Sequence, residues 1–281
     1  MNKRANRVYW LLLIMMLILG LSMAVDGIRA EKHKNDQPQG EAVENATEIT
    51  TTETVSETTS ISEEDTSEIT TLSSEDAKKK LTEFYSGQVF MGDSIMSGYA
   101  SYTFNSDAPE WLNNVIFLTK VSWGISSALN DNNGPLYHGK AQNVTASLAE
   151  IKPKRIFMNL GINEMNGLGS PGYSVEKLIG KYGELIEGIK AAVPDSKLYV
   201  INVTPCTEEK ETAIFNNEII KEFNDALKEN SKTWGVTYLD LAGEFGDVLD
   251  SELSTDGIHH NNKSYSEKWV PFFEKFALSE N

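Results

Sequence analysis

The chain has 281 residues, a formal net charge of −16 and a single cysteine, Cys206. An acidic balance argues against nucleic-acid binding, whose affinity comes from Lys and Arg on phosphates. One cysteine excludes an intramolecular disulfide.

The charge is unevenly placed: residues 1–30 carry a net +3, residues 31–76 a net −11, and residues 77–281 only −8. Lys3, Arg4 and Arg7 precede an uncharged run of 18 residues, Val8–Val25. A positive flank before an apolar core is the pattern of an export signal, and this core is long enough to cross a bilayer. Residues 1–30 are therefore expected to be a signal peptide or a retained N-terminal membrane anchor, with the length favouring the anchor. The positive flank stays in the cytoplasm, which predicts that the rest of the chain lies outside the membrane. Residues 31–74 are an acidic Thr/Ser/Glu-rich stretch without aromatics, as in Thr50-Thr51-Thr52-Glu53-Thr54. Such a composition buries too little apolar surface to offset the entropy of ordering, so a disordered, self-repelling linker is expected.

The pattern changes at residue 75, and residues 75–281 are expected to form one domain. Ser73 or Ser74 caps a helix running to about Tyr85. Strands are predicted at Gln88–Met91, Val115–Thr119, Arg155–Leu160, Lys197–Asn202 and Val236–Asp240. The runs at 156–158 and 198–201 are continuously apolar, as in strands covered on both faces. Between strands, Val175, Leu178, Ile179, Tyr182, Leu185, Ile186, Ile189 and Val193 repeat at threes and fours, one stripe of a helix capped by Ser174. Ile219, Ile220, Phe223, Ala226 and Leu227 mark a second helix, and a last one is expected from Ser264 to Ala277. Strands alternating with helices predict an α/β fold, a parallel sheet between helical layers. Right-handed crossovers make a five-stranded 2-1-3-4-5 order the expected topology.

Four polar stretches fall after predicted strands: Gly92-Asp93-Ser94, Ser122-Trp123-Gly124, Gly161-Ile162-Asn163-Glu164 and Asp256-Gly257-Ile258-His259. Parallel strands bring the first three loops to one edge. Acyl transfer needs an alcohol activated by a base, and an imidazole titrates in the right range. A carboxylate on the far ring nitrogen fixes the tautomer. These needs assign Ser94 as nucleophile, His259 as base and Asp256 as orienting carboxylate, the last two brought together by one helical turn. The N–H groups of Ser94 and Gly124 and the side-chain amide of Asn163 are candidate oxyanion donors.

In order and content these stretches resemble the four blocks of the SGNH (GDSL-like) hydrolases, over roughly residues 86–280. The resemblance implies a flavodoxin-like three-layer sandwich, a Ser94–His259–Asp256 triad and an oxyanion hole of Ser94, Gly124 and Asn163; from the residues themselves no metal or cofactor is expected. Two departures stand out. Glu164 occupies the place of the family's usual Asp, a change expected to keep the local hydrogen bonding and reshape the pocket. Trp123 stands where small or amide residues are usual, and reads either as a wall of the acyl site or sugar platform, or as a cap on the core edge.

Other chemistry-bearing residues have plainer readings. His260 lacks a third ligand for a metal. His138 is a surface residue, and Ser174 with Lys177 is a helix cap rather than a Ser-Lys pair. Tyr99, Tyr102 and Trp111 pack a core, and Cys206 is a buried thiol. The whole predicts an extracytoplasmic serine esterase acting on acyl, chiefly O-acetyl, esters of small molecules or cell-surface glycans. An O-acyltransferase using the same residues is the alternative, and a non-catalytic surface-binding module a third reading.

Overall fold

The computed structural model describes residues 73–280, except 131, 133 and 169–172. The expected signal or anchor and all but the end of the linker lie outside the described residues. Among the described residues, no helix is long and apolar enough to cross a membrane.

Ser73 accepts the Asp76 N–H at 3.1 Å and starts α1, Ser74–Tyr85. Next come β1 (Val89–Gly92), α2 (Ser94–Tyr102), β2 (Ile116–Thr119) and α3 (Ile125–Asn130). A short antiparallel hairpin, β3 (Leu136–Tyr137) and β4 (Lys140–Ala141), precedes α4 (Val144–Ile151) and β5 (Arg155–Asn159). The chain continues through α5 (Ile162–Met165), α6 (Val175–Ala192), β6 (Lys197–Ile201), α7 (Asn217–Trp234) and β7 (Thr237–Leu239). It ends with α8 (Asn262–Ser264), a π-helical turn at Tyr265–Trp269 and α9 (Val270–Ser279).

The five long-range strands form one parallel sheet in the order β2-β1-β5-β6-β7. Counted without the hairpin, this is the expected 2-1-3-4-5, with helices flanking the sheet. β1 has its predicted length, shifted by one residue, and the other four strands are one or two residues shorter than predicted. The hairpin, α3, α4 and α5 were not expected. Each is eight residues or fewer, too short to show a period.

Register explains the core. Phe117, Phe90, Phe157 and Tyr199 are matched neighbours on β2, β1, β5 and β6, so they share one face. Phe90 and Phe157 stack at 4.5 Å, and Phe157 and Tyr199 at 4.8 Å. Phe273 and Phe276 of α9 and Tyr85 of α1 cover this row edge-on or tilted. Trp111 stacks on Tyr85 and donates to Glu274 Oε1 at 2.9 Å, and Tyr99 and Tyr102 are fully buried, so all three are core residues as expected. Elsewhere α6 packs on α7, where Tyr182 stacks on Trp234. Gly183 permits this approach, since a Cβ there would lie 2.9 Å from Trp234 Nε1. Its close packing is thus against a helix.

Candidate active site

The sheet order sets where the site is. β1, β2 and β5 are adjacent and parallel, so the loops leaving their carboxyl ends are neighbours. Asp93 leaves β1 and caps α2, its Oδ1 accepting the Ile95 N–H at 2.9 Å. Ser94 is therefore the first residue of α2, where N–H groups lack an acceptor inside the helix and negative charge is favoured.

The fourth stretch reaches the same edge from 165 residues away. Ser94 Oγ lies 2.9 Å from His259 Nε2, and His259 Nδ1 lies 2.8 Å from Asp256 Oδ2. An ionised carboxylate only accepts, so Nδ1 carries the ring proton and Nε2 is free to accept from the Ser94 hydroxyl. Asp256 is held ionised. Burial pushes its carboxyl up, but the His259 N–H at 2.9 Å, the His259 ring and the Ile258 N–H at 3.0 Å outweigh this and lower it to about 2. The expected helical turn between Asp256 and His259 is absent. The segment is a loop closed by a Ser254–His260 bridge, and it turns at Gly257, φ +92°. The pairing is made by Asp256 accepting both the main chain and the ring of His259.

The three expected oxyanion donors come from adjoining loops. Asn163 Nδ2 donates to Asp93 Oδ2 and to the Trp123 carbonyl, each at 3.3 Å. Asn163 is exposed, whereas Gly124 is buried between Trp123 and the Glu164 carboxyl. Glu164 Oε1 accepts the Ile125 N–H at 2.6 Å. Burial raises the Glu164 carboxyl, and raises Asp93 to about 7 with Glu164 adding to the shift. Sequence reasoning gave Asp93 no role. Its position as a buried cap one residue before Ser94 was the available signal.

The remaining candidates separate cleanly. Trp123 is 1% exposed, which removes the sugar-platform reading: it belongs to the core. His260 diverges from His259 and is buried, its Nε2 at 2.9 Å from Thr204 Oγ1 and its Nδ1 at 2.8 Å from Ser264 Oγ. Burial and the adjacent His259 lower it to about 3, so it is neutral with both nitrogens engaged. Ser174 caps α6, accepting the Lys177 N–H at 3.3 Å, and His138 is exposed on the hairpin turn. Cys206 is buried. A cavity of about 1160 Å³ opens beside the ends of β6 and β7, lined by residues such as Asn202, Asn217 and Asp240. Neither Ser94, His259 nor Asp256 lines it.

Fold and site together define an ester-hydrolysing serine hydrolase built on a doubly wound α/β sheet. The chain belongs to the GDSL-like lipase/acylhydrolase family, whose model matches residues 90–266. No curated protein sequence matches it. Among solved structures it is similar to a Streptococcus pneumoniae protein provisionally named for platelet activating factor. That match has a TM-score of 0.52 and 18% identity, covering 72% of this chain and 92% of the other. It is also similar to a provisionally named acylhydrolase from Bacteroides fragilis, with a TM-score of 0.51 and 16% identity over 76% of this chain and 100% of that one. A GDSL-like lipase from Bacteroides thetaiotaomicron has a TM-score of 0.50 and 17% identity over 67% and 88% of the two chains. At these identities the likeness is one of fold.

Proposed function

We propose that the protein is an extracytoplasmic esterase that removes O-acetyl groups from small-molecule or cell-surface glycan esters, with Ser94 as nucleophile. The observation that carries this reading is the unbroken hydrogen-bonded chain from Ser94 Oγ through His259 to Asp256 Oδ2, at 2.9 and 2.8 Å. His259 takes the Ser94 proton as the hydroxyl attacks the ester carbon, and later gives it to the departing alcohol. The attack leaves an acetyl-serine. Water, deprotonated by the same imidazole, then releases acetate and restores the hydroxyl. Asp256 stabilises the imidazolium that forms in each half. The N–H groups of Ser94 and Gly124 and the amide of Asn163 receive the oxyanion. The two Asn163 bonds at 3.3 Å are long, so the oxyanion competes for that amide on good terms. The apolar N-terminus and acidic stretch that follows support a place outside the membrane, where acylated polysaccharide is an available ester.

The test is turnover of p-nitrophenyl acetate and of acetylated oligosaccharides by the full chain, with fluorophosphonate labelling. Ser94→Ala and His259→Ala are expected to lower kcat by at least about 10³-fold, and Asp256→Asn by about 10²–10⁴-fold. Labelling is expected in the wild type and lost in Ser94→Ala. Acetyl transfer to a glycan acceptor in preference to water would favour the acyltransferase. Absence of both labelling and turnover would leave only a binding module.

A further inference from the structure

We propose that Glu164 is a positioning residue that sets the oxyanion loop, capping α3 from the neighbouring loop and so holding the Gly124 N–H in place. The inference rests on the reading of Gly124 as an oxyanion donor. α3 begins at Ile125, which puts Gly124 where a capping side chain would stand. Glycine has no side-chain acceptor to offer the first N–H groups of the helix. Glu164 supplies one from α5: Oε1 accepts the Ile125 N–H at 2.6 Å, and the Ser126 N–H faces the same carboxyl. A carboxylate at a helix N-terminus makes a charge-assisted bond with the helix dipole in its favour.

The position of the Glu164 carboxyl leaves no room for a Cβ at Gly124 unless one of them shifts. A Cβ on Gly124 would lie 2.8 Å from the Glu164 carboxyl carbon and closer still to Oε1. Gly124 has no unusual φ, so the approach of the carboxylate, rather than a backbone conformation, is what demands glycine there. The neighbouring residue completes the grip. Asn163 holds the Trp123 carbonyl before Gly124, and Glu164 holds the Ile125 N–H after it. Glu164 thus supplies the firm hold beside the donor, while the long Asn163 bond can yield to the oxyanion. Glu164 is 7% exposed, and Oε2 has no hydrogen-bond partner of good geometry among the described residues. Burying a carboxyl with one oxygen unmatched costs stability. That cost is accepted at a carboxyl whose one firm partner is the Ile125 N–H beside Gly124, so what the carboxylate contributes is the placement of the loop.

The test compares Glu164→Leu, which removes the acceptor, with Glu164→Gln, which keeps an oxygen for Ile125, in the full chain. Steady-state hydrolysis of p-nitrophenyl acetate separates kcat from KM. The rate of fluorophosphonate labelling gives a second readout, because the phosphonyl oxygen takes the oxyanion position. Glu164→Leu is expected to lower kcat and the labelling rate by about 100-fold, the scale of one oxyanion donor, with KM unchanged. Glu164→Gln is expected to recover most of that loss. Wild-type kcat in a folded Glu164→Leu, a loss confined to KM, or a Gln variant no better than Leu would each overturn the role. Should Glu164→Leu not fold, Glu164→Met makes the same comparison, since it is close in size and offers no oxygen to the Ile125 N–H. It is then expected to show the kcat loss, and wild-type kcat in it would overturn the role. A wild type that neither hydrolyses the ester nor is labelled at Ser94 would instead sink the catalytic reading on which the inference stands.

Discussion

Asp93 ties the stability of the fold to pH through a buried carboxyl beside the nucleophile. It is 1% exposed, and burial, opposed by the Ile95 N–H and reinforced by Glu164, raises it from 3.8 to about 7. The folded protein therefore keeps a proton that the unfolded chain releases near pH 4. Between about pH 4 and 7 the unfolded state binds fewer protons than the folded one, so stability falls as pH rises. The Asp93 contribution is fully present below that window and lost above it. A rise from 3.8 to about 7 is worth about 4 kcal/mol. Asp93→Asn keeps an oxygen for the Ile95 N–H and cannot ionise. Its amide would face Asn163 Nδ2 in place of the present acceptor, a mismatch costing about 1–3 kcal/mol at every pH. Urea unfolding at pH 4 and pH 8, followed by tryptophan fluorescence, separates the two effects. The wild type is expected to lose about 4 kcal/mol more than the variant between these pH values. Parallel pH dependences in the two proteins would refute the argument, because the buried carboxyl would then titrate alike folded and unfolded.

Gly124→Ala is expected to lower kcat for p-nitrophenyl acetate by about 100-fold, because its Cβ must displace the Glu164 carboxyl or the donor itself; steady-state kinetics check this. His260→Ala leaves the Thr204 and Ser264 hydroxyls unmatched around a cavity, so about 2–4 kcal/mol of stability should be lost in thermal or urea unfolding. Turnover per folded molecule should persist in that variant, unlike His259→Ala. A folded but inactive His260→Ala beside an active His259→Ala would reverse the assignment of the base.

The sheet was legible because both signals it depends on survive in a single chain. Buried parallel strands read as unbroken apolar runs, as at Ile156–Met158 and Leu198–Ile201, and both lie where expected. The amphipathic stripe from Val175 gave α6 to within a residue of its end, because eighteen residues are five turns of evidence. The π-helical turn at Tyr265–Trp269 had no such signature. The expected helix over 264–277 is interrupted there, and Tyr265 at the start of that turn donates to the Ile95 carbonyl at 3.0 Å, beside Gly98, whose missing Cβ makes room for its ring. The interruption ends just before Pro271, which has no N–H for the carbonyl four residues back, so a local breaker marks it even though the stripe of apolar residues does not.

The site divides in the same way. That Ser94, His259 and Asp256 meet was legible because acyl transfer demands those side chains, and Gly124 and Asn163 lie on neighbouring segments because parallel strands bring their loops together. The residues that hold them were not legible, since their partners are main-chain groups. Asn224 accepts the Val203 N–H at 2.9 Å and donates to the Val203 carbonyl at 2.7 Å. Asn217, two turns earlier on α7, grips Cys206 in the same double fashion at 2.8 and 3.0 Å. Between these clamps sits Thr204, which meets His260, and just beyond them the Thr207 N–H donates to the Gly257 carbonyl at 2.9 Å. The loop carrying His259 and Asp256 is thus moored to α7 through two amides, a hydroxyl and a neutral imidazole. A base presented on an irregular loop needs such mooring, because displacement by about 1 Å is enough to cost about 10² in rate. From sequence these asparagines look like any polar residues on a helix. Only the fold, by laying an unpaired stretch of main chain along them, turns them into the frame of the site.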